Sequence, residues 1–574
     1  MTNWRAIPTI IRHAICLLLL AGSSVLAAAA RNTADAGVVR CENGAVVSVN
    51  AYASEIGVQT LQRGGSAVDA AVATAFALAV TYPVAGNIGG GGYMLVVPRD
   101  GAGSVAFDFR EVAPAAAGRD TFVQKSGRTP HRRVGVPGTV RGLALAHQRL
   151  GKLPWRELVL PAVQVARGGF ELDAAVATDL NKVLAGSDKE QFAALHRTFG
   201  RADTRPWRAG DRLVQGELAD VLTRIADHGA DGFYTGAVAQ LIAAEMQRGG
   251  GLVTEADLAA YRPIVREPVR ASYRGCEILA VPPSSSGGTT LAEELNILET
   301  FDLRSRGRWS AETLHLMIES MRRAYRDRAA YLGDPSMTTI PGKPLEKAYA
   351  RQLAATIDPN RATPSIELAG DIKITTESEQ TTHLSVIDGD RTAVSLTYTL
   401  ESGWGSRVVV PGGGFLLNDE MNDFNWLPGV TNTSGRVGTP PNDVAPGKRM
   451  LSSMCPVVVR RDGRTLLITG SPGGRTIINT VLCMVVNVVD FDMEITSAVD
   501  APRLHHGWFP DLVRIEPALL EDHPAAIERL REIGHKFAPK PAQQGDAHSI
   551  WIDPKTNEIV AAADRRTSGS AAGY

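Results

Sequence analysis

Glu379-Gln380-Thr381-Thr382-His383-Leu384-Ser385-Val386-Ile387-Asp388 is the stretch on which the reading of this chain turns. A polar run ends there, and a strand opens on paired threonines. Leu384 and Val386 alternate with His383 and Ser385. After Gly389-Asp390-Arg391 the segment Val394-Ser395-Leu396-Thr397-Tyr398-Thr399 alternates again, so both read as half-buried strands of one hairpin. Keeping Leu384 and Val386 on the face of Val394 and Leu396 requires opposed residue numbers to sum to an even value, which favours a three-residue loop. Thr381 then shares a face with Thr397 and Thr399, opposite Thr399 or diagonal to it. Pattern alone places a second hydroxyl near Thr381.

A threonine hydroxyl is a poor nucleophile until a base takes its proton, and a free α-amine with a pKa of about 7.7 to 8.0 suits that task. Freeing the amine of Thr381 means cutting the bond after Gln380. The alternative is that Thr381-Thr382 is β-branched filler in a strand.

The first thirty residues read as a secretory signal peptide. Arg5, Arg12 and His13 precede an apolar run from Ala14 to Ala21, and Ala27-Ala28-Ala29-Ala30 offers a cleavage site near Ala29 or Ala30. That run falls short of the ~20 residues a membrane span needs, and no later stretch reaches that length uninterrupted. A periplasmic or secreted location is expected, with no membrane span after the signal is removed.

The 574 residues carry a formal net charge of -1 and are 44% hydrophobic, a composition without the basic footprint of a nucleic-acid binder. Cys41, Cys276, Cys455 and Cys483 remain once the signal peptide is gone; they form no CxxC pair, so a zinc site is not indicated, and one disulfide stays open. No linker, repeat or charge block divides the chain, and one interleaved body is as plausible as several domains.

Ala51 to Leu61 and Ala67 to Leu78 read as helices, the second entered through Ser66 and Asp69 spaced as a capping box. Gly86-Asn87-Ile88-Gly89-Gly90-Gly91-Gly92 lacks the lysine and spacing of a phosphate loop and suits close backbone packing. Tyr93 to Val97 and Val105 to Phe109 form a second hairpin, running into Asp108-Phe109-Arg110-Glu111. There Arg110 either clamps a carboxylate with its planar fork or pairs with its neighbours Glu111 and Asp108. Residues 139 to 262 show amphipathic helical patterns. Pro282-Pro283-Ser284-Ser285-Ser286-Gly287-Gly288 lacks a GxSxG elbow and reads as helix entry. Arg322, Arg323, Arg326 and Arg328 read as a solvated helix face.

Leu416-Leu417-Asn418-Asp419-Glu420-Met421-Asn422-Asp423-Phe424 brings acids to a strand end, and residues 425 to 448 form a loop long enough for a lid. Beyond Leu451-Ser452-Ser453-Met454, the runs Val457 to Arg461 and Thr465 to Thr469 around Asp462-Gly463 signal another hairpin. It leads into Gly470-Ser471-Pro472-Gly473-Gly474-Arg475, either a plain turn or a pair of backbone N–H groups presented to an anion.

Taken in order, TTHLSVID, LTYTL, LLNDEMNDF, LSSM, GSPGG, DFRE and the terminal Ala572-Gly573-Tyr574 resemble the γ-glutamyltranspeptidases of the N-terminal nucleophile hydrolase superfamily. The resemblance implies an α+β fold of four layers, αββα, made as one proenzyme that cuts itself before Thr381. It gives a signal peptide over 1–30, a large subunit over 31–380 and a small catalytic subunit over 381–574, interleaved as a heterodimer. It implies Thr381 as nucleophile with its own α-amine as base, Thr399 bonded to it, and Gly473 and Gly474 as oxyanion donors. Arg110, Ser452 and Ser453 would take the α-carboxylate of the substrate, and Glu401, Glu420 and Asp423 its α-ammonium. The donor would be glutathione or another γ-glutamyl compound, with water or an amino acid or dipeptide as acceptor, and no metal or cofactor.

A γ-glutamyl group carries a carboxylate and an ammonium on one carbon, so a cationic fork beside a cluster of anions is what it requires. Before the cut the amine of Thr381 is still an amide, and self-cutting needs another base. Two positions depart from the family pattern: many relatives carry Asn where Glu401 stands, and an aromatic where Ser434 stands in the lid, for which Trp404 or Trp426 could substitute. The rivals are a glutaryl-type β-lactam acylase of the same superfamily, which has no use for an ammonium pocket, and a periplasmic amino-acid-binding protein with an inert Thr381.

Overall fold

The computed structural model describes residues 37–370, 372, 381–434 and 437–574. The expected signal peptide and the Gln380 side of the expected cut lie outside these residues. Two seven-stranded sheets, antiparallel throughout, form the centre. The first runs in the order Val38–Cys41, Ile559–Ala562, Ser549–Ile552, Arg464–Thr469, Val457–Arg461, Cys276–Ala280, Val269–Tyr273. The second runs Ser570–Gly573, Ala45–Ser48, Thr382–Ile387, Ala393–Thr399, Gly91–Val97, Val105–Asp108, Ile264–Arg266. Both sheets mix strands from before and after position 381. Neither part of the chain closes a sheet without the other.

The central hairpin has the even-sum register: Leu384 pairs with Leu396 and Val386 with Val394. Asp388 N–H bonds the Thr392 carbonyl at 3.2 Å, closing a three-residue loop in which Arg391 takes φ 64°. The strands are buried on both faces rather than half-buried. Leu384, Val386, Val394 and Leu396 pack under the helices Ala51–Gln62 and Ala67–Thr81, each burial being worth roughly 1.5–3 kcal/mol. The alternate face looks at the first sheet, where Ser385 donates to the His548 carbonyl and Ser395 to that of Thr469, both at 2.9 Å. The alternation therefore marks a hydroxyl-lined face between sheets, its polar groups satisfied by hydrogen bonds, and not a solvated one.

Outside the second sheet, Ala67–Thr81 starts at the expected capping box: Asp69 N–H bonds Ser66 Oγ at 3.2 Å and Ser66 N–H bonds Asp69 Oδ2 at 2.8 Å. Outside the first sheet lie Gly287–Leu298, Ala311–Tyr331 and Ile477–Val489, packed with the strand residues Val457 to Val459 and Leu467 in a second core. The layers are thus helix, sheet, sheet, helix. Asp462 and Gly463, at φ 50° and 74°, make the left-handed two-residue turn that joins Val457–Arg461 to Arg464–Thr469.

One expectation needs correction. Arg322, Arg323 and Arg328 are buried, held by Glu319, Asp511, Thr356, Ser286 and Ser453, so this helix face is an internal ionic layer. The four described cysteines are buried and free, so no disulfide forms among them. Trp404 sits in the core, edge-on to Phe199, Trp426 is half-buried and stacks on Phe122, and Ser434 is exposed. No helix among the described residues is long and apolar enough to cross a membrane.

Candidate active site

Extending the hairpin register one residue past Thr382–Tyr398 sets Thr381 opposite Thr399. Both lie on the face between the sheets, at the end where the hairpin runs out into loops. The backbone beneath is fixed by the glycine run. Asn87 Nδ2 donates to the Thr399 carbonyl at 2.9 Å while its Oδ1 accepts Gly90 N–H at 2.9 Å. A Cβ on Gly90 would collide with that same Thr399 carbonyl, which is why a side chain is excluded there. The run is a packing device, as its sequence suggests.

A recess opens at this point, lined by Arg110, Thr381, Thr399, Glu401, Asp423, Ser452, Ser453, Met454, Gly474 and Ile477. Of the residues expected at the site, Glu420 lies behind Arg110 and Gly473 beside Gly474, so all ten belong to one locality. Met454 and Ile477 are lining residues with no chemical signature in the sequence.

Arg110 is buried at the end of the hairpin Gly91–Val97 and Val105–Asp108. One terminal nitrogen pairs with Glu420 and the other with Asp423, and Glu111 lies 3.6 Å away. Neither chain neighbour is its main partner: the acids nearest to it come from the loop after residue 418, with Glu111 as a more distant third. These carboxylates hold the guanidinium charged, and burial pushes the carboxyls of Glu420 and Asp423 above their usual range against the pull of Arg110. Burial also pushes Glu111 up to about 8. Oxygens of Glu401, Glu420 and Asp423 approach within 4.8 Å of one another, a concentration of negative charge suited to a cation.

Several supports escaped sequence reasoning. Arg328 donates to Ser453 Oγ and Ser286 Oγ, both at 2.8 Å, and Ser286 N–H and Oγ both bond the Ser452 carbonyl. The triple serine is thus a helix entry, as expected, and also the brace of Ser452-Ser453. Asp108 bonds Arg110 N–H, Arg266 and Arg449, fixing the backbone from which Arg110 projects. Asn418 Oδ1 takes the N–H of Gly135 and Glu420, which holds the acidic loop in place. Local pattern could not reveal these pairs, whose members lie far apart in the chain.

At Gly473 the φ of 120° is open only to glycine. Its carbonyl takes both the N–H and the hydroxyl of Thr476, at 3.0 and 2.7 Å. Because a trans peptide sets C=O and N–H on opposite sides, the Gly474 N–H points away from that helix start. Residues 425–434 and 437–448, the loop expected to be long enough for a lid, are largely irregular, with one short turn at Pro440–Asn442, and Asn425, Val437 and Thr439 line a neighbouring recess that shares Asp423 with the first.

The gamma-glutamyltranspeptidase family model matches residues 53–574. A glutathione hydrolase proenzyme of Escherichia coli is 44% identical, over 98% of each chain. The fold is similar to a cephalosporin acylase from Bacillus halodurans, at a TM-score of 0.81 and 27% identity over 94% of this chain and 97% of that one. It is similar also to Helicobacter pylori gamma-glutamyltranspeptidase, at 0.53 and 38% over 57% of this chain and 96% of that one. A buried threonine pair at a strand end, a guanidinium among carboxylates and these matches lead to one conclusion: the chain belongs to the gamma-glutamyltranspeptidase family, enzymes of the N-terminal nucleophile hydrolase fold.

Proposed function

We propose that the chain is a proenzyme cut between Gln380 and Thr381, and that the mature enzyme transfers the γ-glutamyl group of glutathione or a related compound. Thr381 Oγ1 attacks the γ-carbonyl while its α-amine takes the proton, and the leaving amine departs with a proton returned by that ammonium. The resulting ester goes to water or to an amino acid or dipeptide acceptor. Thr399 orients the nucleophile, and the N–H groups of Gly473 and Gly474 hold the oxyanion.

The observation that carries this reading is the Arg110 ion-pair cluster inside a recess that also holds Thr381. A γ-glutamyl donor brings one carboxylate and one ammonium to it. The carboxylate takes the fork of Arg110 with Ser452 and Ser453, and the ammonium takes Glu401, Glu420 and Asp423. The bound donor thus gives the guanidinium a carboxylate partner and the acids a cationic one. A glutaryl group lacks the ammonium and would leave the acids uncompensated, which favours this reading over a β-lactam acylase.

The segments 31–380 and 381–574 would remain together after the cut, because both contribute strands to both sheets. Export to the periplasm or beyond is proposed from the N-terminal sequence. Intact mass and N-terminal sequencing of the purified protein, with rates on γ-glutamyl and glutaryl anilides, test the proposal. A fragment starting Thr-Thr-His-Leu and a preference for γ-glutamyl substrates are expected. One uncut chain without turnover would return the protein to the binding-protein reading, and equal rates on the two anilides would remove the ammonium pocket.

A further inference from the structure

A second cleft lies at the opposite end of the sandwich. Thr382–Ile387 carries Thr381 at one end, and its other end, some ~20 Å away at 3.3 Å per residue, borders a cleft lined by Arg99, Arg391 and Arg464 together with Thr465 and Asn557. No carboxylate lines it among the described residues. Arg99 and Arg464 make no side-chain hydrogen bond or ion pair among those residues, unlike most arginines of this chain. Thr465 is 8% exposed and its Oγ1 has no hydrogen-bond partner; the Nη1 of Arg391 is likewise buried and unpartnered.

The turns that carry these arginines are fixed by the fold, while the side chains of Arg99 and Arg464 are exposed. Buried Arg460 donates to the Arg99 carbonyl at 3.2 Å and to the Gly463 carbonyl at 2.6 Å, tying together the two turns that present Arg99 and Arg464. Gly101 must lack a side chain because a Cβ would meet the Arg460 guanidinium. Arg391 bonds the carbonyls of Glu42 and Asn557 at 3.2 and 3.1 Å, which fixes it against the first sheet. Three arginines thus converge on one cleft, and a buried hydroxyl beside them lacks a partner.

We propose that this cleft binds a phosphate-class dianion, either free or as the phosphoryl group of a larger molecule. A tetrahedral dianion offers enough oxygens for the forks of Arg99 and Arg464, the unpartnered Nη1 of Arg391 and the Thr465 hydroxyl at once; a carboxylate offers only two. The site is independent of the Thr381 recess and of its chemistry.

Titration calorimetry on the full purified protein, at fixed ionic strength in chloride, tests it with inorganic phosphate and, separately, glycerol phosphate. One saturable site is expected, weakened about tenfold or more in the Arg99→Gln/Arg464→Gln double variant, since each charged donor lost is worth at least that factor. Asn557→Asp places a negative charge at the rim, at a φ of 62° that aspartate tolerates, and is expected to weaken binding as well. It decides alone should the double variant not fold. Tighter inorganic phosphate points to a free anion and tighter glycerol phosphate to a phosphorylated compound, and either supports the site. A non-saturating response, or equal affinity in wild type and variants, overturns it.

Discussion

Thr399 Oγ1 accepts the backbone N–H of Glu401 at 2.8 Å. That bond anchors the Thr399 hydroxyl on the side of Glu401, and the strand register places Thr381 opposite Thr399, within reach of the remaining hydroxyl proton. Thr399→Ala is expected to lower kcat by about a hundredfold through misorientation of the nucleophile, while Thr399→Ser keeps most of it. Steady-state kinetics on a γ-glutamyl anilide decide this, and wild-type kcat in the alanine variant would remove Thr399 from the reaction.

If the proposed self-cutting uses the oxygen that attacks the substrate, Thr381→Ala yields a single chain without activity. Mass spectrometry of the purified variant gives the answer directly. A cut Thr381→Ala protein would show that another group performs maturation.

Arg110 carries a structural as well as a binding load, because Glu420, Asp423 and Glu111 all face its guanidinium. Arg110→Ala leaves these buried acids without their counter-charge, and a loss of about 3–5 kcal/mol is expected. Arg110→Lys keeps the charge but not the fork. It is expected to fold and mature, with the donor KM raised about tenfold or more. Denaturant titration measures the first effect and kinetics the second; a lysine variant with unchanged KM would refute the clamp.

The parts of this fold written in short-range pattern were readable: the hairpin register from Leu384, Val386, Val394 and Leu396, the capping box of Ser66 and Asp69, and the turn at Asp462-Gly463. What could not be read was burial produced by distant partners. Arg322 and Arg323 have the spacing of a solvated row, and their acceptors Asp511 and Thr356 come from other parts of the chain. Likewise, Ser385 and Ser395 looked solvated because a hydroxyl facing a second sheet has the same period as one facing water. At the site, chemically distinctive residues could be listed from sequence, but the tie from Arg328 to Ser453 is visible only in three dimensions.

Glu319 makes the ionic layer sensitive to acid. Although burial alone would raise its carboxyl, Arg322 and Arg323 bring it down to about 2, below its value in an unfolded chain. A depressed carboxylate stabilises the fold above the unfolded pKa and loses that contribution as pH falls through the folded one. The stabilisation, on the order of 3 kcal/mol, is therefore present above about pH 5 and is expected to disappear toward pH 2. Glu319→Gln is expected to be less stable at pH 7 and to lose less on acidification. Unfolding midpoints between pH 7 and pH 3 test this, and parallel curves for the two proteins would contradict it.

Glu401 holds a left-handed backbone, at φ 75°, beside the nucleophile. Asparagine tolerates that conformation better than glutamate, so Glu401→Asn is expected to fold at least as well as the parent. Its electrostatic effect is the informative one. A carboxylate near the proposed α-amine of Thr381 stabilises the ammonium and raises its pKa, which withholds the base at lower pH. Removing that charge is expected to move the acid limb of kcat/KM to lower pH by a few tenths of a unit to about one unit. The same change takes one anion from the ammonium pocket, so donor KM is expected to rise. A pH–rate profile separates the two effects, since the limb reports the free enzyme and KM reports the substrate. An acid limb that stays in place would mean that the base does not sense Glu401, whatever happens to KM.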